Sequence, residues 1–285
     1  MERYCDLHTH SNYSDGTCTP AELVTAAEQA GLSAVALCDH NTVLGLPEFL
    51  AAGQGSPVET VPGIEFSTDY LDVELHILGL FIRPEHYESI MVMTEEMQRR
   101  KERSNIELVE ALRRAGYELD YGQIKAATPA GQVNRALIAA ELTRLGYAAS
   151  VQEAFATLLK PKHGYYHPPK RLDVFETISF IRAIGAVSVL AHPFLNLKTE
   201  DDLRTFLGPA VEAGLQGMET LYPRFDEAQT CGAKALAEEF GLLQSGGSDF
   251  HGDNKPDIRI GVGTGNLFVP HALLEEIRQK ERFYV

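Results

Sequence analysis

Six of the ten histidines in this 285-residue chain fall in five short segments, with carboxylates among and beside them. The segments are DLHTHS (Asp6 to Ser11) with Asp15 close behind, CDHNT (Cys38 to Thr42), ELHILG (Glu74 to Gly79), LAHP (Leu190 to Pro193) and SGGSDFHG (Ser245 to Gly252). A further segment, GIEFS (Gly63 to Ser67), carries Glu65. Each places a His, Asp or Glu directly after an apolar run, as at the end of a β-strand. Imidazole and carboxylate together suit Zn, Mn or Fe, whereas carboxylates alone would suggest Mg or Ca. In His8-Thr9-His10 the two histidines are two residues apart, so on a strand both point to one side and can hold one ion. Taken singly, any of these histidines reads more readily as a hydrogen-bonded core or surface residue. The same strand-end setting recurs through all five segments, and the recurrence points to a multinuclear metal site gathered from the whole sequence.

Ligands so scattered can meet only if strand ends converge. Short β-branched and apolar runs alternate with helical patterns, the mark of βα units around a parallel sheet. Strands are expected at Arg3 to Leu7, Ala34 to Cys38, Val58 to Ile64, Glu74 to Phe81, Ala186 to Ala191, Gly217 to Leu221 and Leu242 to Ser245. Helices are expected at Pro20 to Ala30, where Thr19 can cap, Pro20 suits the first turn and Gly31 is a stop. More are expected at Leu172 to Ile184, Glu200 to Ala213, Asp226 to Phe240 and His271 to Glu281. A (β/α) barrel fits this order, because its parallel strands point one way and their C-terminal ends share the face that carries chemistry. From about Glu85 to Lys170 the text is helical instead, over Glu95 to Ala115, Val133 to Leu145 and Val151 to Leu159, before a basic Pro-rich loop, KPKHGYYHPPKR (Lys160 to Arg171). The expected organisation is a barrel from residues 1–84 and 171–285, with 85–170 as a helical insertion over its mouth.

Hydrophobic residues make up 44% of the chain, enough for a large core. A formal net charge of −15 and a pI of about 5.1 disfavour a broad basic face that grips long nucleic acid, although part of that charge belongs to the metal ligands. Cys5, Cys18, Cys38 and Cys231 have no CxxC spacing and no signal-like segment precedes them, so no disulfide framework is expected and a reducing cytoplasm fits. No apolar run approaches the ~18 residues that span a bilayer, so no membrane partner is expected.

DLHTHSNYSDG, CDHNT, PGIEFS, ELHILGL, LAHP and SGGSDFHG, in this order across essentially the whole chain, resemble the successive motifs of the PHP family, named for polymerase and histidinol phosphatase domains. Within that family the order and the helical insertion resemble the TrpH-like branch, which includes nucleotide phosphatases and a 5′-to-3′ exoribonuclease. The resemblance implies a distorted (β/α)7 barrel, an α/β fold, holding three divalent ions, with Mn first and Fe or Zn as alternatives. It implies one ion on His8, His10, Glu65 and Asp249, a second on Glu65, His76 and His192, and a third on Asp15, His40 and His251. All nine ligand positions are filled. Closely spaced cations can bridge a hydroxide, lower its pKa, hold phosphate oxygens and neutralise the leaving oxygen. His192 and Asp249 therefore count as catalytic as well as ligating. Asp39, preceding His40 and pointing away from it on a strand, is a candidate to support the site from behind.

Specificity is expected from the insertion. Arg135, in GQVNRALIA, aligns with an arginine of the branch's GRPH-type segment, to which the resemblance gives a phosphate contact; a guanidinium near a helix start suits a phosphate. Ala136 and Leu137 replace the branch's Pro and His. Lys160, Tyr165 and His167 in the closing loop, and Arg224 after a strand end, are further substrate candidates. GVGTG (Gly261 to Gly265) lacks the dinucleotide spacing and reads as a tight turn. Met91, Met93 and Met97 read as a core helix face, His86, His163 and His271 as surface residues, and Cys38 as buried. The expected activity is hydrolysis of a phosphate monoester on a small nucleotide, first a 3′,5′-bisphosphate nucleoside. Trimming of short RNA from its 5′ end comes next, then histidinol phosphate hydrolysis, which the insertion disfavours. A non-catalytic metal-loaded regulatory domain is the alternative of another class, disfavoured by the complete ligand set.

Overall fold

A computed structural model of the protein describes residues 3–128 and 133–282, so the opening of the GQVNRALIA segment, at 131–132, lies outside the described residues. The chain divides into two compact units, Met1–Met91 with Arg171–Val285, and Val92–Lys170. In chain order the elements are β1 (Tyr4–Thr9), α1 (Pro20–Gln29), β2 (Ala34–Leu37), α2 (Leu46–Ala52), β3 (Glu59–Tyr70), β4 (Val73–Leu80), α3 (Tyr87–Arg114), α4 (Tyr121–Ala126), α5 (Arg135–Arg144) and α6 (Val151–Thr157). There follow β5 (Leu172–Asp173), α7 (Val174–Ala183), β6 (Val187–Leu190), α8 (Glu200–Ala213), β7 (Gly217–Leu221), α9 (Glu227–Glu239), β8 (Leu243–Gly246), β9 (Val269–Pro270) and α10 (His271–Arg282).

In the first unit the sheet runs β8-β7-β6-β4-β3-β2-β1-β9, with β5 paired to β3. A parallel bridge from Thr9 to Phe250, just after β8, nearly closes it, so the expected distorted α/β barrel is what forms. Its inner face carries Leu7, Ala36, Val61, Leu78, Val187 and Val189 in one buried cluster, joined by Leu274 and Ile277 of α10. The helices begin on local chemistry: Thr19 and Glu22 make a reciprocal capping box with Pro20 in the first turn of α1, and Thr199 caps α8.

Two features depart from a regular parallel barrel. First, β4 is antiparallel to both neighbours, β3 and β6, so the expectation of strands all pointing one way is corrected. Leu71 (φ 51°) and Asp72 (φ 66°) form a two-residue turn between β3 and β4, both in left-handed geometry. Such a turn matches strand twist and sends the chain straight back along its neighbour. Accordingly β3 does not end near Ile64 but runs on to Tyr70. Second, β1 bulges: between Asp6 and Thr9 it advances three residues while β2 advances two, from Val35 to Leu37. Strict alternation would put His8 on the opposite face from Leu7, which lies in the inner cluster. The extra residue turns His8 inward as well.

The second unit is built from helices among its described residues, with its own core of Leu108, Leu112, Ile138, Leu142, Ala154 and Leu159. Asp120, Asn134 and Ser150 each accept a bond from a backbone N–H in the first turn of α4, α5 and α6.

The SGGSD turn after β8 passes hard against β1. A Cβ built on Gly247 would lie 2.6 Å from the His8 nitrogen and closer still to its Cβ. Gly247→Ala is expected to cost about 1–3 kcal/mol through overpacking, seen as a lower urea midpoint. An unchanged midpoint would show that β1 yields freely.

Candidate metal centre

Glu65, in mid-β3 and fully buried, stands at the centre of the histidines. Its Oε1 lies 2.9 Å from His76 Nδ1 and 3.1 Å from His192 Nε2. Its Oε2 lies 3.0 Å from His40 Nδ1 and 3.3 Å from Nε2 of both His8 and His10. The hairpin makes part of this possible, since Ser67 pairs with His76 and therefore sets His76 diagonally across from Glu65 on the same face. Asp249 Oδ1 is 3.4 Å from His10 Nε2 and 3.8 Å from His8 Nε2, while Asp15 faces His251 at 3.2 Å and His40 at 3.7 Å.

All nine sequence-predicted ligand positions therefore come together. Their donor atoms form four overlapping groups able to hold an ion: His10, Asp15, His40 and His251; His8, His10 and Asp249; His8, Glu65 and His192; and His40, Glu65 and His76. The buried donors fit that use. His8 Nε2, both ring nitrogens of His10, His40 Nδ1 and Glu65 Oε2 have no hydrogen-bond partner. Polar atoms are seldom buried without one unless something else, such as an ion, satisfies them. Strain collects here too, with Asn41 (φ 54°), His192 (φ 28°) and Asp249 (φ 56°) at positive φ.

Behind the donors stands a set of holders. Asp39 accepts bonds from Ser11 N (2.8 Å), Ser11 Oγ (2.6 Å) and Ser14 Oγ (2.6 Å), and so ties down the loop that carries Asp15. Burial pushes its carboxyl up, and these bonds pull it back. Sequence reasoning missed four others. Asp6 accepts bonds from Ser248 N, Ser248 Oγ and Gly261 N, fixing both the SGGSD turn and the GVGTG turn. Glu219 faces His8 Nδ1 at 3.0 Å and accepts from the His192 backbone N–H at 2.6 Å. The Tyr222 hydroxyl and the Lys255 ammonium donate to Asp249 Oδ2, at 2.9 and 2.6 Å. The signal for Glu219 was present, since GMETL places an acid late in an apolar strand; Asp6 could have been read from DLHTHS, where it opens the motif.

The substrate candidates are scattered differently. In the second unit Arg135 starts α5 and stacks over the Tyr166 ring at 4.2 Å, Tyr165 lies near Tyr117, and Lys160 and His167 are exposed. In the first, Arg224 is half-exposed and paired with Asp257 at 2.9 Å. His271, expected on the surface, is instead 8% exposed, held between Ser33 Oγ and Glu275, because the start of α10 packs against β1. Gly263 and Arg259 exchange backbone bonds, so GVGTG is a tight turn. Cys38 is buried, and burial pushes its thiol well up. No helix among the described residues is long and apolar enough to cross a membrane.

Fold and donor set together define an α/β barrel with clustered His, Asp and Glu donors able to hold metal. Residues 6–166 match the PHP domain, and the chain belongs to the PHP domain family. It is 31% identical over 255 residues to a 5′-3′ exoribonuclease of Haemophilus influenzae, covering 88% of this chain and 91% of that one. It is 26% identical over 257 residues to a 3′,5′-nucleoside bisphosphate phosphatase of Chromobacterium violaceum, covering 90% of each. Among solved structures, one from Bifidobacterium adolescentis assigned as a metal-dependent phosphoesterase superposes with a TM-score of 0.85 at 28% identity, over 98% of this chain and 96% of that one. The chain is a metal-dependent phosphoesterase of this family.

Without bound ions, the buried carboxylates of the centre favour protonated rings at several of the histidines. Burial pushes His10 down, but the Asp249 and Glu65 carboxylates beside it outweigh that and lift the ring to about 9. His76 rises to about 10, where burial is outweighed by Glu65 and Glu74, and His8 rises well above its usual range for the same kind of reason. Burial wins at His40, which falls to about 3. Glu65, Asp249 and Asp15 are held well below the carboxylate range by their cationic neighbours, against burial. A raised histidine stabilises fully below its unfolded pKa of about 6.5, and that stabilisation is lost as pH rises through the folded value. The lowered carboxylates act only at acid pH, and His40 subtracts only below about 6.5. The ion-free protein is therefore expected to lose Tm between pH 6.5 and 10, while affinity for Mn rises over the same span because ions displace those protons. Scanning calorimetry in chelator and titration with Mn check both; parallel trends would contradict the balance.

Proposed function

We propose that the protein is a phosphatase of small nucleotides, acting on a 3′,5′-bisphosphate nucleoside with three divalent ions, Mn first. The observation that carries this reading is Glu65, whose two buried oxygens face separate sets of histidines, as a carboxylate shared between ions would. His8, His10, Glu65 and Asp249 would hold one ion, Glu65, His76 and His192 a second, and Asp15, His40 and His251 a third. When bound, such ions lower the pKa of water and take up charge on phosphate oxygens. The residues do the positioning. Asp249 offers only Oδ1 to the histidine side, since Tyr222 and Lys255 occupy Oδ2. Asp39 holds the Asp15 loop, and His192 and Asp249 are assigned catalytic as well as ligating roles. Arg135 is the candidate to recognise the second phosphate, with Lys160, Tyr165 and His167 as further substrate candidates; Arg224, already paired, is the weakest of them. The similarity to the H. influenzae enzyme supports a second reading, trimming of short RNA from its 5′ end. A panel of mononucleotides, bisphosphate nucleotides, short 5′-phosphorylated RNA and histidinol phosphate, assayed with Mn, Fe and Zn, separates the two.

Elemental analysis of protein purified without chelator is expected to find more than one transition ion per chain, because nine ligands exceed what one ion coordinates. His8→Ala or Asp249→Ala should abolish turnover with the circular dichroism spectrum retained. A single ion after metal-replete purification would overturn the multinuclear reading.

Turnover should also fall below about pH 6, where protons compete with ions for imidazole; undiminished rates at pH 5 would contradict it. Arg135→Ala should cost roughly ten- to a hundredfold, the loss of one charged hydrogen-bonding partner at about 1.5–3 kcal/mol, on a bisphosphate and little on an aryl monophosphate. Unchanged kinetics on every substrate, with metal content intact, would remove Arg135 from recognition.

A further inference from the structure

Glu219 is a fully buried acid on β7 that the ligand set does not use, and each of its oxygens meets a different ligand. Oε2 is 2.6 Å from the backbone nitrogen of His192, a group that can only donate, so this oxygen accepts. Oε1 is 3.0 Å from His8 Nδ1. A carboxylate oxygen that accepts from Nδ1 keeps a ring hydrogen there, so in a neutral ring the lone pair of His8 is left on Nε2. That Nε2 is one of the buried atoms with no partner, and it faces Glu65 and Asp249. His192, at φ 28° and ψ 57°, lies where side-chain-bearing residues rarely go, and its N–H is held by the same carboxylate. Its Nε2 points at the other oxygen of Glu65.

Glu219 can reach both because β7 stands next to β6 in the sheet, while the bulge in β1 turns His8 inward toward it. We infer that Glu219 is a positioning residue for two ligands at once: it selects Nε2 as the ligating atom of His8 and clamps His192 in its left-handed backbone. Carboxylates that hold ligating histidines in this way set both ring orientation and which nitrogen is free. The inference rests on the metal-centre reading of the preceding section.

Glu219→Gln tests it with little change of shape. The amide oxygen must face the His192 N–H, so the amide NH2 faces His8 Nδ1, can only donate to it, and drives the ring hydrogen to Nε2. The variant is expected to unfold in chelator at close to the wild-type temperature, yet to bind zinc roughly ten- to a hundredfold more weakly at one site. Dialysis against a competing chelator should leave it one ion short per chain. In the zinc-loaded wild type, nitrogen-15 NMR should show His8 with a hydrogen on Nδ1 and zinc on Nε2. Full zinc content and affinity in Glu219→Gln, or zinc on His8 Nδ1 in the wild type, would overturn the role of Glu219. Should the variant fail to fold, the wild-type spectrum still decides. A wild type that binds no ion overturns the metal-centre reading and this inference together, whereas a loaded wild type matched by an equally loaded variant overturns this inference alone.

Discussion

A single buried carboxylate, Glu65, facing five imidazoles is the constraint to which the barrel is fitted. An isolated ionised carboxylate in a protein interior is very costly, and each unpartnered ring nitrogen adds to the cost. Without ions the carboxylates favour protonated rings at His8, His10 and His76, which offsets part of that cost. With ions the same atoms become ligands, so binding energy and folding energy are linked. The rest of the first unit makes the arrangement tolerable: apolar residues fill the inner face up to the donors, and Asp6, Asp39, Glu219 and Tyr222 hold the segments that would otherwise relax.

The second unit has a different physical basis. Its helices are capped by their own Asp120, Asn134 and Ser150, and its core is separate from that of the barrel. Elements of this kind can vary in sequence without disturbing the donors. That fits a family whose members named here act on different phosphate esters. Arg135, at the start of α5, places its guanidinium over the Tyr166 ring. Stacking on an aromatic face fixes the orientation of an arginine while leaving its edge free to donate.

The chemistry was more legible in the sequence than the geometry. The residues alone single out the strand-end segments that carry His8, His10, Asp15, His40, Glu65, His76, His192, Asp249 and His251, and the resemblance to the PHP motifs picks these nine from the other acids there. The direction of β4 could not be read, because the reversal rests on Leu71 and Asp72, which lack the Asn-Gly or Asp-Gly signature of such turns. The bulge in β1 was hidden for a similar reason: it is a property of pairing with β2, and no residue of DLHTHS announces it. Glu219 was passed over because one acid in a strand has many ordinary explanations, and only its two partners, distant in sequence, single it out. His271 was misread because its burial comes from packing of the chain's last helix on its first strand.

The bulge also determines which changes of length the chain can accept. Side chains on a strand alternate, so the face presented by His8 depends on a count of residues from the start of β1. Inserting one more residue between Asp6 and His8 would leave the composition almost unchanged and turn both histidines of the HxH pair toward the surrounding helices. The tip of the β3–β4 hairpin is under no such rule, because Leu71 is exposed and His76 is placed by its pairing with Ser67 further down the ladder. Insertions are thus tolerable at the hairpin tip and ruinous in the first strand, and a loop grafted onto this barrel belongs at residue 71.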